Sequence, residues 1–131
     1  MKKEKEKREL PPAVSQLAET AECHAMPHCP IRVTQNIFSG KWKLLILAQL
    51  FEGPVRYGAL QRAIPEISEK MLIQSLRQLE ADRMLERHAY PEVPPRVEYR
   101  LTEHGRKLEP VVQQMINWGL AYLAAFSPAN Q

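Results

Sequence analysis

The chain has 131 residues, of which 44% are apolar and 25% charged, a composition ordinary for one globular domain with a single core. The net charge of +3, from 18 Lys and Arg against 15 Asp and Glu, is only a weak preference for polyanions. No apolar run reaches the roughly 18–20 residues that span a bilayer, and the charged start MKKEKEKREL lacks the apolar core of a secretory signal. We therefore expect a cytoplasmic protein without membrane association, whose function depends on where its cations lie.

Composition divides the chain into an arm, an extension, one folded domain and a tail. Residues 1–12 mix cations with glutamates, which is typical of a solvated, poorly ordered arm. Residues 13–28 form an N-terminal extension with a predicted short helix, Val14 to Ala21. We expect the domain itself at 29–126 and a short tail at 127–131.

Helical spacing of apolar residues begins at Pro30 and predicts four consecutive helices before any strand. Their sequences are IRVTQNIF, KWKLLILAQLF, YGALQRAI and SEKMLIQSLRQLEAD, and Gly or Pro residues separate them. The second helix is the most apolar and is predicted to lie deep in the core. Its expected buried stripe includes Trp42, Leu45, Ile46 and Leu50.

The fourth helix has a clear beginning and two distinct faces. Ser68 suits the N-cap, because its hydroxyl can accept a hydrogen bond from a free amide of the first turn. Leu72, Leu76 and Leu79 follow at i, i+4 and i+7 and define the buried face. The opposite face carries Lys70, Gln74 and Arg77.

Two strand-like segments, LERHAY and RVEYRL, flank the proline-rich turn PEVPPR. Thr102 is the predicted N-cap of a final long helix, and Pro110 predicts a kink or an early break in that helix. The predicted fold class is mainly α with a small β-hairpin. Two short helices joined by a tight turn and followed by a two-stranded wing form a winged helix-turn-helix.

The outer face of the fourth helix has the side chains that contact with DNA requires. A helix in the major groove needs small or polar residues near its N-terminus, and Ser68 and Lys70 meet this need. Gln74 has the paired donor and acceptor that match an adenine edge, while Arg77 can bind guanine or a phosphate. Prolines stiffen the turn before Arg96, so that a basic tip suits a minor-groove or phosphate contact. The alternative interpretation is an ordinary solvated face.

The final helix is longer than one small winged core can cover, which predicts a partner surface. The side chains that need such a surface are Trp118, Tyr122, Leu123 and Phe126. We expect a homodimer that binds an inverted-repeat operator in double-stranded DNA, with half-sites roughly 10 bp or a multiple apart. The alternative is that the N-terminal segment covers this helix within the same chain.

Six motifs follow one another along about three quarters of the chain: CPI at Cys29, GKWKLLIL at Gly40, IPEISEKML at Ile64, LRQLEADRMLER at Leu76, YPEVPPRVEYRLTEHG at Tyr90 and NWG at Asn117. In their order and spacing the chain resembles the HxlR-type winged helix-turn-helix regulators of bacteria and archaea. The resemblance implies dimeric DNA-binding transcription factors that pair through their first and last helices. It implies a dimer interface that includes Ile31, Trp118, Tyr122 and Phe126.

The resemblance also implies roles within the DNA-binding half. The helix after Ser68 would be the recognition helix, and PEVPPR would be the wing. The family's usual GPKRFNEL stands here as GPVRYGAL, with Val55 in place of a lysine. This departure leaves Arg56 as the phosphate contact that the resemblance implies.

The segment CHAMPHC places two thiols and two imidazoles within seven residues: Cys23, His24, His28 and Cys29. All four are good ligands for zinc or copper, although the spacing is not that of a zinc finger or ribbon. Cys29 is alternatively a redox sensor, because it precedes a predicted helix N-terminus, where the dipole favours thiolate. Cys29 as a small buried hydrophobe is the third hypothesis. Several HxlR-type regulators that this chain resembles use such a cysteine to sense electrophiles or oxidants, which implies Cys23 as its resolving partner.

The leading hypothesis is a sequence-specific dimeric transcriptional repressor that responds to oxidants or electrophiles through Cys29. The alternatives are a ligand-responsive regulator with inert cysteines and a winged protein-interaction module, whose outer helix face would be acidic or apolar. We expect no enzyme, because no nucleophile triad, paired carboxylates or phosphate-binding glycine loop stands out. We expect no cofactor, and we assign no metal ligands.

Overall fold

The computed structural model describes residues 29–126 and confirms a mainly helical fold with a small antiparallel sheet. Residues up to Asn36 and residues from Ile37 belong to two compact units. Outside the described residues lie the predicted arm at 1–12, the extension at 13–28 with its short helix, and the tail at 127–131. The described elements, in chain order, are α1 (Pro30–Phe38), α2 (Lys43–Leu50), β1 (Val55–Arg56), α3 (Tyr57–Ala63), α4 (Glu69–Ala81), β2 (Leu85–Tyr90), β3 (Arg96–Leu101), α5 (Glu103–Arg106) and α6 (Glu109–Phe126).

In the first unit, the described residues are Cys29 and the opening turns of α1. Pro30 is the first residue of the helix, as predicted, where a backbone N–H is not needed. The Cys29 carbonyl accepts the first helical hydrogen bond from the Val33 amide at 2.9 Å. Thr34 Oγ1 donates to the Pro30 carbonyl at 2.8 Å. Cys29 therefore lies directly at the N-terminus of α1.

In the second unit, α2, α3 and α4 pack with the sheet around one apolar core. Fully burying each large aliphatic side chain contributes roughly 1.5–3 kcal/mol. The buried core residues are Ile46, Leu47, Leu50, Leu60, Ile64, Leu72, Leu76, Leu79, Met84, Leu85, Tyr99 and Leu101. The core thus joins α2, α3, α4, β2 and β3, and Val55 of β1 packs against it.

The buried face of α2 differs in part from the prediction. Ile46 and Leu50 are buried as expected, but the Leu45 side chain is 47% exposed and Lys43 is buried. Positions 43, 46, 47 and 50 share one face of the helix, and Leu45 lies on the far side. Because α2 is apolar on nearly all sides, its buried face is selected by what packs against it and not by the helical repeat. The Lys43 stem therefore covers part of the core that the prediction gave to Leu45.

The turn between α3 and α4 and both ends of α4 follow local capping chemistry. Ser68 Oγ accepts from the Met71 amide at 3.2 Å, which confirms the predicted N-cap. At the other end, the Met84 amide donates to the Leu79 carbonyl at 2.9 Å and the Arg83 amide to the Glu80 carbonyl at 3.0 Å. Arg83 has a φ of 60°, the left-handed conformation that this C-terminal motif requires. Hydrogen bonds at both of its ends therefore fix where α4 begins and where it stops.

The sheet has three strands where the sequence predicted two. β2 and β3 pair antiparallel from Leu85↔Leu101 to Tyr90↔Arg96, as predicted for the wing. β1 adds the pair Val55↔Tyr99 on the other edge of β3, so the strand order is β1-β3-β2. A two-residue strand after Gly-Pro has no periodicity, which is why the sequence did not indicate it.

The final helix is divided, close to the predicted break. Thr102 caps α5 by accepting from the Gly105 amide at 3.0 Å. α5 ends at Arg106, and α6 begins at Glu109, one residue before Pro110, so that Pro110 occupies the second position of the new helix. A first-turn proline lacks only an N–H that has no helical partner there.

Candidate nucleic-acid interface

The outer face of α4 is exposed and polar, as the sequence predicted. Lys70, Gln74 and Arg77 line one shallow hollow of about 510 Å³, together with Ile73. These three polar side chains are all exposed, while the opposite face of α4 is buried in the core. The helix therefore presents amide and cationic groups along a surface free to meet a ligand.

The N-terminus of α4 has a polar cap and an acidic first turn. Ser68 is exposed, and its hydroxyl binds the Met71 amide. Glu69 follows in the first turn, where the helix dipole favours a carboxylate. This glutamate, which the sequence analysis did not weigh, opposes a phosphate at the same helix end. Ser68 is consequently better suited to a neutral hydrogen bond than to an anion.

The wing does not have a basic tip. Val93, in the middle of the turn, is fully exposed, whereas Arg96 is the first residue of β3 with a side chain only 27% exposed. Arg96 lies at the strand start because it pairs there with Tyr90 across the hairpin. The predicted position of Arg96 at the tip is therefore wrong, and residues 91–95 of the turn carry no cation.

Arg96 is held within the wing by three groups. Its Nη2 lies 3.2 Å from a Glu92 oxygen and its Nη1 3.6 Å from a Glu98 oxygen. The guanidinium carbon also lies 4.1 Å from the centre of the Tyr90 ring. Two carboxylates offset the charge of Arg96, so a phosphate has to compete with them for this guanidinium.

A larger cavity lies between α3, α4 and the wing, with a volume of about 930 Å³. Arg56, Arg77 and Arg96 all line it, and Arg77 also lines the hollow on α4. The structure thus brings together every predicted DNA contact except Ser68 around two hollows that meet at Arg77.

Two further arginines line this cavity that the sequence did not indicate, Arg62 on α3 and Arg87 on β2. Helical periodicity marks Arg62 as an outer residue of α3 but does not show that it faces the wing. Arg87 is placed by its cross-strand register opposite Tyr99, which is a non-local pairing. The cationic surface is therefore more extensive than the predicted residues indicate.

Tyr57 lines the same cavity near the base of α3. Burial raises the pKa of the Tyr57 phenol above its ordinary value of 10.0, and the Glu69 carboxylate and Tyr99 raise it further. Gln61 Nε2 donates to the phenol oxygen at 3.3 Å. Tyr57 is consequently a neutral hydrogen-bonding group among the arginines.

Cys29 is buried, 4% exposed, and disulfide-bonded. Cys23, His24 and His28 lie outside the described residues, so the structure does not describe the predicted cluster. Among residues 29–126, no group of three or more histidine, cysteine or carboxylate side chains could hold a metal ion.

α6 exposes most of its apolar side chains. Of its 18 residues, only Val112 is buried. The rings of Trp118, Tyr122 and Phe126 form a ladder, with centroids 5.3 Å and 5.0 Å apart. The exposed fractions are 69% for Trp118, 50% for Tyr122 and 68% for Phe126, and Ile31 on α1 is 53% exposed. Within the described part of the chain, no helix is both long and apolar enough to cross a membrane.

Known proteins share this arrangement. The sequence model of the family described as HxlR-like helix-turn-helix matches residues 37–126. The HTH-type transcriptional regulator YkvN of Bacillus subtilis (strain 168) is 48% identical over 94 residues, which cover 72% of this chain and 80% of that protein. The structure of a MarR-family transcriptional regulator from Porphyromonas gingivalis W83 has a TM-score of 0.70 at 47% identity and covers 72% of this chain and 93% of its own. The redox regulator HypR in its oxidized form has a TM-score of 0.67 at 44% identity, and the match covers 71% of this chain and 96% of the HypR chain.

These likenesses extend over the elements that form the site. The family match includes α3, α4 and the wing, where the exposed cationic and amide side chains lie. The similar proteins are transcriptional regulators, which are not enzymes. The chain is therefore a DNA-binding transcriptional regulator that belongs to the HxlR-like helix-turn-helix family.

Proposed function

We propose that this regulator is a sequence-specific, homodimeric repressor that places α4 in the major groove and the wing on the adjoining DNA backbone. The observation that supports this most directly is that five predicted contacts surround two hollows that meet at Arg77. A recognition helix needs base-contacting groups on its outer face and cations beside it to fix its register on the phosphates. In a bacterial or archaeal cell such a protein acts on cytoplasmic DNA.

The side chains divide into two roles. Gln74 and Lys70 contact base edges, Gln74 through an adenine-type pair of hydrogen bonds. Arg56 and Arg96 contact phosphates on either side of the groove, which positions the helix without selecting sequence. Arg77, between the two hollows, serves either a guanine or the backbone. Ser68 hydrogen-bonds at the helix start.

The homodimer is proposed from the exposed face of α6. A contiguous apolar surface of this kind marks an association site, and the ladder of Trp118, Tyr122 and Phe126 has the large rings that dominate interface energetics. A second copy of the chain is the proposed occupant, because a two-fold pair also supplies two recognition helices for an inverted repeat. Ile31 contributes a further exposed apolar side chain on α1.

Redox control is proposed from Cys29. Its disulfide at the N-terminus of α1 and the likeness to HypR, a redox regulator solved in oxidized and reduced forms, support this step. The thiols of Cys29 and Cys23 give two protons and two electrons to an oxidant such as diamide, which becomes the hydrazine, and a disulfide bond forms. Loss or gain of that bond changes how firmly α1 is held and hence the affinity of the dimer for DNA.

Genome-wide mapping of binding sites with and without diamide tests these proposals together. Bound fragments should share an inverted repeat, transcripts of the bound genes should rise when the protein is deleted, and diamide should change occupancy. Cys29→Ser is the matched control for the thiol step and should bind the same sites without responding to diamide. Binding without an inverted repeat would contradict the symmetric dimer, and an equal diamide response in Cys29→Ser would remove Cys29 from the mechanism.

A further inference from the structure

The cavity between α3, α4 and the wing has the size of a small-molecule site. Its volume of about 930 Å³ falls in the range of roughly 300–1,000 Å³ that is usual for ligand pockets. It lies entirely within the unit that begins at Ile37. The lining combines an apolar floor with an excess of positive charge, and this combination indicates a particular class of ligand.

The positive charge is largely unbalanced. Five arginines line the cavity against two glutamates: Arg56, Arg62, Arg77, Arg87 and Arg96, with Glu80 and Glu92. Arg96 is already paired with carboxylates of the wing, whereas the other four arginines form no ion pair with any described residue. Guanidinium groups stay charged and repel one another at close range. An anion that binds among them relieves this repulsion.

The floor is apolar and belongs to the fixed part of the fold. Leu76 and Tyr99 line the cavity and are core residues, 2% and 7% exposed. Ile73 and Val97 extend this surface. Covering this apolar surface with an apolar group is favourable, because both surfaces leave water. A hydrated phosphate provides no such gain. Tyr57 adds a neutral hydrogen-bond donor, since a phenol carries its proton at neutral pH.

We propose that this cavity binds a small organic anion, a carboxylate joined to a flat or aliphatic apolar group, and that its binding weakens the hold on DNA. The carboxylate lies among the unpaired arginines, and the apolar group covers the floor. The effect on DNA rests on the proposed function, since Arg56, Arg77 and Arg96 are also the proposed DNA contacts. A ligand that occupies them excludes phosphate, and DNA must lower ligand affinity by the same factor.

Direct binding to the DNA-free full chain tests the cavity. The probe is naphthalene-2-carboxylate, measured by titration calorimetry beside two matched compounds, the neutral naphthalene-2-carboxamide and inorganic phosphate. The carboxylate should bind roughly tenfold more tightly than either, since one compound lacks the charge-assisted hydrogen bonds and the other lacks the apolar group. Equal binding of the amide would indicate an apolar patch without charge recognition. Equal binding of phosphate would indicate a site for the DNA backbone only. Either result, or the absence of any binding, would overturn the proposal.

Two exposed arginines that are not proposed DNA contacts locate the site. Arg62→Gln and Arg87→Gln should each weaken carboxylate binding by roughly tenfold, while Arg106→Gln on α5 should not. Circular dichroism checks that each variant keeps the fold. If the two cavity variants bind the carboxylate as tightly as Arg106→Gln, the ligand lies elsewhere and the assignment of this cavity fails.

The regulatory step is measured separately, with DNA selected from random sequence for binding to the wild-type chain. Saturating carboxylate should weaken that affinity roughly tenfold in the wild type and have little effect in the Arg62→Gln/Arg87→Gln double variant. Unchanged DNA affinity in the wild type would overturn the regulatory step. Failure of the wild type to bind any DNA would contradict the proposed function instead, and the calorimetry would still decide whether the cavity binds the anion.

Discussion

The Arg96 guanidinium carbon lies 4.1 Å above the centre of the Tyr90 ring, and the two residues are the cross-strand pair next to the turn of the wing. Tyr90 is also contacted through its hydroxyl, which accepts from Arg100 Nη2 at 3.3 Å. One ring therefore connects two arginines of β3 to the end of β2. This packing stiffens the wing. In the DNA-free protein, Arg96 already forms an ion pair with Glu92.

Glu92→Gln should raise DNA affinity. The substitution removes a carboxylate that competes with phosphate for Arg96, so we expect affinity to rise about threefold at low salt and its salt dependence to steepen by about one phosphate contact. The Arg96–Glu92 pair is partly exposed and contributes no more than about 1 kcal/mol to folding, so thermal stability should change little. Fluorescence anisotropy across a salt series measures both quantities. Glu52→Gln, an exposed glutamate at the end of α2, is the control, and an equal gain there would refer the effect to net charge alone.

Tyr122→Glu should separate the proposed dimer. Tyr122 is the middle ring of the α6 ladder and is 50% exposed in the single chain. Losing a large buried ring at an interface costs roughly 3 kcal/mol, about 100-fold in the dimer dissociation constant, and the new charge adds to this. Light scattering after size exclusion reports the mass. Leu45→Glu changes a similarly exposed apolar residue on α2 and should stay dimeric; a dimeric Tyr122→Glu would remove α6 from the interface.

Gln74→Ala should relax base discrimination at one position of each half-site. Its exposed amide lines the α4 hollow and suits an adenine edge, and such a contact discriminates by about 1–3 kcal/mol. Selection of binding sites from random DNA measures the preference at each position. Arg56→Ala is the informative comparison, because a phosphate contact weakens all sequences alike. If Gln74→Ala lowers DNA affinity but keeps the base preference at every position, Gln74 contacts the DNA backbone and not a base.

The sequence alone predicts those parts of the fold that local chemistry determines. Ser68 and Thr102 are recognisable as caps because a hydroxyl before an apolar helix satisfies free amides, and the strands alternate clearly. Leu45 could not be placed, because α2 is apolar on nearly all sides and its buried face is set by what packs against it. The same holds for the third strand, which exists only as a partner of β3.

The candidate site shows a similar division. The exposed face of α4 follows from periodicity, so Lys70, Gln74 and Arg77 could be named in advance. The partners of Arg96 and the convergence of Arg62 and Arg87 arise from strand register and from the approach of the wing to α3, and no local pattern encodes them. The sequence therefore predicts which side chains of α4 are exposed, but not the electrostatic surroundings of the arginines.

Gly105→Ala should destabilise the fold strongly. An added Cβ would overlap the Met84 carbonyl oxygen, an atom that already accepts from the Thr102 amide at 3.1 Å. Because this contact is backbone, relief requires α5 to shift, and overpacking of this kind costs roughly 1–3 kcal/mol or more. Thermal unfolding at fixed protein concentration measures it. Gly58→Ala is the matched control, since its Cβ meets only Arg62 Nη1 at 3.6 Å and a helical alanine gains up to about 1 kcal/mol; equal losses in both would contradict the packing argument.

Tyr57 should make stability fall at alkaline pH. Burial, with the nearby Glu69 carboxylate, raises the pKa of the folded-state phenol above 10.0. Below pH 10 the phenol is neutral in both states, so its contribution is fully present. As pH rises from about 10 through the raised pKa, the unfolded chain loses this proton first, and the free energy of unfolding decreases.

Tyr57→Phe removes this titration, so its free energy of unfolding should fall less steeply above pH 10 than that of the wild type. Denaturant unfolding at a series of pH values measures the slope. Gln61→Ala is the matched control, because it removes the hydrogen bond from Gln61 Nε2 to the Tyr57 oxygen but keeps the phenol. That variant should lose stability while retaining the alkaline slope. If Tyr57→Phe and the wild type decline in parallel, the alkaline loss arises from other groups.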